Sequence, residues 1–446
     1  MKQNNVIFFF TDQQRYDTTG VHGNPDGLTP NFDRMALEGT FVKNAFTPQP
    51  VCGPARACLQ TGKYATTLGN YRNAIPLSDQ HKTMAHYFNE AGYDTAYIGK
   101  WHLGTTRLAV PREERGEYQY WLGAGALEAS SRPYDTVVYD NDDREVKLPG
   151  NRIDALTDAA IRYIDGHQEK PFFMFLSFLE PHFQNSNDSF SAPYSMKPIT
   201  NPYTPPDLNA LHGTAHQHLP GYYGMVSRLD QCLGRIQDAL RSLGMTENTI
   251  IIFTSDHGCH FKTRNAEYKR SCHESSIRLP MAMTGGPFSG GGTLQQLVSL
   301  TDLAPTILDA CGIPVPDDMQ GRSIMPLISR QPIDWRKSVL VQISEAEVGR
   351  AIRTGRWKYA VTAPDKDPIA DSGSDHYVEA FLYDLEEDPY ELDNLIGMPS
   401  HRALCDRLKG MLQDQMEAIG EARPVIENAP EKPCAQHRVF PGEEFL

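Results

Sequence analysis

What this 446-residue chain lacks narrows its function before any motif is read. It has no long apolar run: the first, over residues 6–10, is ended by Thr11 and Asp12, too short for a membrane span or a signal-peptide core. It has no block of Lys and Arg, and its formal net charge is −14, so the clustered positive charge that a nucleic acid or an anionic membrane surface rewards is missing. Neither partner is expected. A small anionic substrate stays open, provided the positive charges are local. The eight cysteines include no Cys-x-x-Cys pair, which reads as reduced thiols rather than a disulfide framework. The expectation is a cytoplasmic protein, or a periplasmic or secreted one if an export signal has been removed. There is no internal repeat and no low-complexity segment, and nothing fixes an oligomeric state.

What is present is globular, 40% hydrophobic and 22% charged, and long enough for two or three units. Short apolar runs over 6–10, 95–98, 172–179, 249–253 and 281–283 read as strands. Helix-like segments lie between them: from Pro30 to a stop at Gly39, over 83–91, 154–166 and 300–311, and along Met225, Leu229, Leu233, Ile236 and Leu240 to Gly244. This alternation predicts an α/β fold over residues 1–330, with a large mixed, mostly parallel sheet flanked by helices. Residues 105–150 read as an elaborated loop, and 183–219, rich in Asn, Ser, Pro and His, as a long excursion of the kind that forms lids or binding surfaces. Over 331–446 the pattern changes to short strands at 339–343, 350–353 and 357–361, a polar link at 384–394 and a helix at 401–419. That predicts a smaller antiparallel sheet packed by a helix, with a tail after Pro424 wrapping the surface.

The chemistry gathers around Cys52-Gly53-Pro54-Ala55-Arg56. A thiol placed just ahead of a helix, with a guanidinium close by, sits where negative charge is favoured. Four predicted strands end in polar residues: Asp12 and Gln13, Lys100 and His102, His182, and Asp256 and His257. In an open α/β sheet, ligands bind at the carboxyl ends of the strands, so these groups should meet in one crevice. Singly, each has a plain structural reading, Asp12 as a turn cap and the histidines as satisfied core groups. The repeated placement argues for a site. Asp12, the Gln13 side-chain oxygen, Asp256 and His257 could hold a divalent cation. A rival zinc set is Cys259, His260, Cys272 and His273, although its ligand pairs are adjacent in sequence and fit one tetrahedron poorly.

Several motifs together resemble the type I sulfatase family across nearly the whole chain. They are Cys52-Gly53-Pro54-Ala55-Arg56 with Thr61-Gly62, Gly99-Lys100-Trp101-His102-Leu103-Gly104, Ser255-Asp256-His257-Gly258, and Lys269 five residues before Glu274. Leu382-Tyr383-Asp384-Leu385, with Asp388-Pro389 and Asn394-Leu395, is similar to that family's C-terminal subdomain. The resemblance implies an alkaline-phosphatase-like fold, a divalent metal that is calcium in most members, and oxidation of Cys52 to formylglycine by a maturation enzyme. It implies that Cys52 also contacts the metal, and that Arg56 steadies the formylglycine. Lys100 and Lys269 would hold sulfate oxygens, His102 would take the proton that lets sulfate leave, and His182 would serve the leaving oxygen, a role shared with Lys269.

Two positions depart from the family's commonest metal set, Gln13 in place of a second Asp and His257 in place of Asn. Manganese or magnesium thereby becomes an alternative to calcium. The Asp-Gln and Asp-His arrangement is similar to the choline-sulfatase and phosphonate-monoester-hydrolase branch, whereas Gly-Lys-Trp-His-Leu-Gly looks like carbohydrate and aryl sulfatases. The expected function is hydrolysis of an organic sulfate monoester, foremost a sulfated sugar. The alternative is a phosphonate or phosphate ester hydrolase using the same formylglycine and metal, and a third reading is a binding protein on a retired hydrolase fold. Substrate contacts are expected from the stretch Asn70 to Asn73, which includes Arg72, from the 105–135 region, and from the excursion with His212, His216, His218 and Tyr222.

Overall fold

The computed structural model describes residues 3–105, 108–197 and 199–432. In chain order the large sheet takes β1 Asn5–Thr11, β2 Thr40–Phe46, β3 Asp94–Lys100, β4 Tyr120–Ala124, β5 Thr136–Tyr139, β6 Glu145–Leu148, β7 Phe172–Ser177, β8 Thr249–Ser255, β9 Arg278–Leu279, β10 Ala282–Thr284 and β11 Gly292–Ser299. Their spatial order is β11-β2-β10-β8-β1-β7-β3-β4-β5-β6, with β9 on β2. The central strands β8, β1, β7, β3 and β4 run parallel. β1, β7 and β8 are buried along their whole length, as strands covered by helices on both faces must be.

One face packs under the helices Pro30–Glu38, Arg152–Gly166 and Ala215–Ser242, around Ile7, Phe9, Met174 and Leu176. The other carries Cys52–Thr61, Met84–Glu90 and Leu303–Ala310, around Val6, Phe8, Phe10 and Phe175. The strict alternation along β1 sends neighbouring residues into two separate cores.

Three sequence expectations need correction. Residues 105–150 are not simply a loop: β4, β5 and β6 extend the sheet, and they escaped notice because β6 is edge-exposed and alternates Glu, Val, Lys and Leu. β2 and β11 were also missed, since polar residues interrupt both apolar patterns. The excursion is shorter than its composition suggests, because the long helix already begins at Ala215, with Pro220 tolerated in its second turn.

The second sheet holds β12 Ser338–Ile343, β13 Gly349–Thr354, β14 Trp357–Thr362, β15 His376–Asp384 and β16 Val425–Glu427. It is antiparallel up to β15, and β16 then adds in parallel. β15 extends the predicted set, and β16 turns the first residues of the expected surface tail into sheet; beyond residue 432 the tail lies outside the described residues. The helix Arg402–Ala418 covers one face through Leu408, Leu412 and Met416. The opposite face, with Val339, Val341 and Ala351, packs on Phe46, Cys272 and Ile277.

A buried ionic cluster reinforces that contact. Lys358 Nζ on β14 lies 2.8 Å from Glu274 Oε1 and 2.5 Å from Glu391 Oε1. Arg353 Nη2 pairs with Glu274 Oε2 at 3.3 Å, and the Glu274 backbone N–H donates to Glu391 Oε2. Burial raises the Glu274 carboxyl, but Arg353 and Lys358 outweigh it and hold it below the usual range. The small sheet thereby anchors the segment that ends five residues after Lys269. Removing the ammonium would leave Glu391 buried without its cation, so Lys358→Ala should cost about 3 kcal/mol in a urea melt. A loss below about 0.5 kcal/mol would show that the cluster is dispensable.

Candidate active site

The carboxyl ends of the parallel strands bring the strand-end residues together, as the sheet logic requires. Asp12 follows β1, Lys100 closes β3, Ser177 closes β7, and Asp256 follows β8. Lys100 reaches its place through Gly99, whose φ of +110° and whose Cα faces Ser177 O so closely that a Cβ would lie 1.9 Å from it. Cys52 is the first residue of its helix, not a residue ahead of it, and Gly62 closes that helix in the left-handed conformation. Arg56 is one turn further along.

The Cys52 sulfur lies 2.8 Å from Lys269 Nζ, 3.2 Å from His257 Nε2 and 3.6 Å from Asp12 Oδ1. Burial pushes the thiol up, but Lys100, Lys269 and His257 outweigh it and bring it well below the usual range. Arg56 braces the floor: Nη2 lies 2.9 Å from Asp12 Oδ2, Nε 3.4 Å from Asp256 Oδ2, and Nη1 donates to Ser177 Oγ and Lys100 O. Lys100 Nζ stands between Asp12 Oδ2 at 2.9 Å and Glu128 Oε1 at 3.1 Å. Lys269 Nζ also meets His182 Nε2 at 3.1 Å. Because His182 Nδ1 is bonded to the Phe183 carbonyl and can only donate there, Nε2 is left as an acceptor for the ammonium. Burial, then Lys269, lower the His182 pKa and keep the ring neutral.

One ligand atom each from Asp12, Cys52, Asp256 and His257 fall within 4.8 Å of one another. His257 Nδ1 donates to Gly258 O, which leaves the Nε2 lone pair facing Asp12 and Asp256. Gln13 Oε1 is buried with no hydrogen-bond partner, and its backbone N–H donates to Asp256 Oδ1. Burial and then Asp12 push Asp256 up, whereas Lys100, His182 and Arg56 hold Asp12 down against burial and the Cys52 charge. Two buried carboxylates, an aimed imidazole and an orphaned amide oxygen fit a divalent cation. The zinc set does not assemble. His260 Nε2 meets Lys269 O, His273 Nε2 meets the Tyr383 hydroxyl and Cys259 Sγ meets the Gln13 amide. Among the described residues the metal-ligand cluster is the Asp12 group.

Above this floor opens a cleft of about 710 Å³ lined by Cys52, His102, His182 and Lys269, and also by Arg72. His102 has a φ of +61°, its backbone N–H donates to Gly125 O, and its Nδ1 is without a partner. Other expected substrate contacts lie elsewhere. Asn70 is fully buried and its amide bonds to Ile75 O, so it supports the loop. His212 and His216 are exposed away from the cleft lining, and His218 packs against Phe190 near the Tyr268 hydroxyl. The Tyr222 hydroxyl donates to Gln13 O and accepts from Arg15 N, which makes it a brace for the metal loop.

A sulfatase family model matches residues 4–313, and an N-sulphoglucosamine sulphohydrolase C-terminal model matches 266–418. The chain belongs to the sulfatase family. Its fold is that of the alkaline-phosphatase-like superfamily, and its reaction class is sulfuric ester hydrolysis. An ulvan-active sulfatase of Formosa agariphila is 31% identical, the match covering 94% of this chain and 82% of that protein. An N-acetylglucosamine-6-O-sulfatase of Bacteroides thetaiotaomicron is 24% identical, over 95% and 88%. A solved structure of a protein in complex with its substrate D-glucosamine-2-N,6-O-disulfate superposes with a TM-score of 0.77 at 24% identity, over 94% and 98% of the two chains. At that identity the likeness concerns the fold.

In this sulfatase two site residues, Ser177 and Glu128, escaped the sequence reading. Ser177 ends β7 as Lys100 ends β3, so the strand-end argument could have found it. Asn73, the end of the expected 70–73 stretch, accepts at Oδ1 from the Gly53 backbone N–H, beside Cys52. Glu128 sat in the presumed loop. Burial raises its carboxyl, yet Lys100, His102 and His182 bring it down to about 2, so it is a carboxylate at neutral pH. Glu128→Gln should lower kcat/KM by about 10- to 100-fold, because it withdraws one of the two charges that fix Lys100. An unchanged kcat/KM in a folded variant would remove Glu128 from the site.

Proposed function

We propose that this sulfatase cleaves a sulfate monoester of a carbohydrate to alcohol and inorganic sulfate, with Cys52 as the precursor of a formylglycine. The observation that carries this reading is the convergence on the Cys52 sulfur of Lys269, His257 and Asp12, all buried at one end of the sheet. The sugar sulfates in the relatives' names support the carbohydrate. Asp12, Gln13, Asp256 and His257 would hold the divalent cation, calcium or magnesium through their oxygens, with manganese accepting the imidazole more readily than either. Such a cation supplies Lewis-acid polarisation and offsets the charge of the two carboxylates. A hydrated formylglycine supplies two hydroxyls on one carbon, one to attack sulfur and one whose deprotonation expels sulfate.

The chain's own residues divide the remaining work. Arg56 fixes both carboxylates through separate nitrogens, so neither can rotate away. Lys100 and Lys269 place positive charge where sulfate oxygens gather charge in the transition state. Lys269 and the neutral His182, 3.1 Å apart, form a proton-bearing pair for the leaving alcohol oxygen. His102, with Nδ1 unpartnered, is placed to accept a proton from the Cys52-derived group. A phosphonate ester hydrolase is the second reading, favoured by Gln13 and His257.

Matured enzyme should release sulfate from sulfated mono- or disaccharides, and mass analysis of the Cys52 peptide should show the aldehyde. Cys52→Ala should reduce turnover by about 10³-fold or more. An unmodified thiol in fully active enzyme would refute the formylglycine assignment. On matched nitrophenyl esters the sulfate should turn over faster, and a clear phosphonate preference would replace the first reading with the second. Chelation should lower Tm as well as activity, since a cation bound only by the folded chain stabilises it, and calcium or manganese should restore both. A chelated enzyme with unchanged Tm would argue against the cation site.

A further inference from the structure

Charge balance around the cleft singles out one residue. Lys100 faces Asp12 and Glu128, and Arg56 faces Asp12 and Asp256. Arg270 lines the cleft and is neutralised by Glu345 at 2.5 Å and Glu267 at 3.1 Å. Lysine and arginine side chains of this cleft that have no carboxylate within 4.0 Å among the described residues are Lys269 and Arg72. Lys269 faces the nucleophile, where one negative charge, the sulfate, is expected. Arg72 does not. Its Nη1 donates to the Asn73 carbonyl, and its Nε is buried without a partner.

The carboxylate bonded to the neighbouring residue is already engaged. Glu345, brought over from the turn between β12 and β13, accepts the Asn73 backbone N–H at 2.6 Å and pairs with Arg270. Its carboxylate is therefore taken by the residue after Arg72. Asn73 in turn accepts from Gly53 N at 2.9 Å, which sets Arg72 beside the reacting centre rather than at a distant rim. A guanidinium with an unmet donor in a concave wall is a ready fork for a planar or tetrahedral oxyanion.

We propose that Arg72 binds a second anionic group on the substrate, a carboxylate or another sulfate carried by the sugar whose sulfate ester is cleaved. The inference rests on the sulfatase reading above and adds that the substrate is at least doubly charged. Arg270 is a positioning residue here: it occupies Glu345 and so keeps that carboxylate from neutralising Arg72.

Three sulfated sugars of one linkage separate the possibilities: one otherwise neutral, one bearing a carboxylate, and one bearing a second sulfate. Wild-type enzyme should favour at least one acidic substrate over the neutral one by tenfold or more in kcat/KM, and the two acidic arms identify the anion. Arg72→Gln should collapse that ratio, chiefly through KM, and Arg72→Lys should recover part of it. No acidic preference in the wild type, or an equal fall on neutral and acidic substrates in Arg72→Gln, would overturn the proposal. Should the variant fail to fold, the wild-type ratio still decides. Absence of sulfate release from all three would instead count against the sulfated-sugar reading, so the two failures are distinguishable.

Discussion

Two carboxylates, Asp12 and Asp256, are buried together at the carboxyl ends of adjacent parallel strands, and the rest of the site answers that constraint. Like charges in a low dielectric repel, and burial already disfavours each one. Arg56 and Lys100 relieve Asp12 first, through contacts of 2.9 Å each, while Asp256 receives a longer approach of 3.4 Å from Arg56. Asp256 is therefore the member pushed upward, and it takes both the Gln13 and the His257 backbone N–H groups on Oδ1. A divalent cation would relieve the remaining repulsion between the two carboxylates.

The same constraint explains why so many elements are needed. Neither sheet can hold the site alone: Asp12, Lys100 and Asp256 come from the large sheet, Cys52 and Arg56 from one helix, and Lys269 from a segment held down by Lys358 and Arg353 of the small sheet. Glu345, also from the small sheet, closes the wall that Arg72 and Asn73 begin. The C-terminal region thus acts twice, once beneath the lysine that faces the nucleophile and once at the side where the sugar would lie.

Legibility in the sequence followed physical type. The parallel core was readable because strands buried on both faces are continuous apolar runs bounded by polar ends, and those ends carry Asp12, Lys100 and Asp256. Edge and antiparallel strands such as β6 and β15 half-expose their residues, so their polar positions read as loop. His212, His216 and His218 looked functional by composition, yet none lines the cleft: His216 and His218 lie on the first turn of the long helix and His212 just ahead of it. Glu128 and Glu345 were invisible for the opposite reason: each acts through a tertiary partner, Lys100 or Arg270, that no local pattern announces.

Backbone conformation ties these pieces together. Gln13, His102, Arg270 and Glu345 all adopt positive φ, at 66°, 61°, 69° and 65°, without being glycine. Each such residue costs about 1 to 3 kcal/mol and persists where its surroundings over-determine it. All four border the metal floor or the cleft, and each has that over-determination: Gln13 through Asp256, His102 through Gly125 O, and Arg270 and Glu345 through one another. Glycine would relieve the strain at every one of these positions but would remove the amide oxygen, the imidazole or the charge that faces the reaction. The strain at His102 sits next to the nucleophile, and the strained Arg270 and Glu345 pair with each other on the wall that carries Arg72. At Gln13 and His102 the strained backbone coincides with an unmet acceptor, Oε1 facing the metal floor and Nδ1 beside the nucleophile.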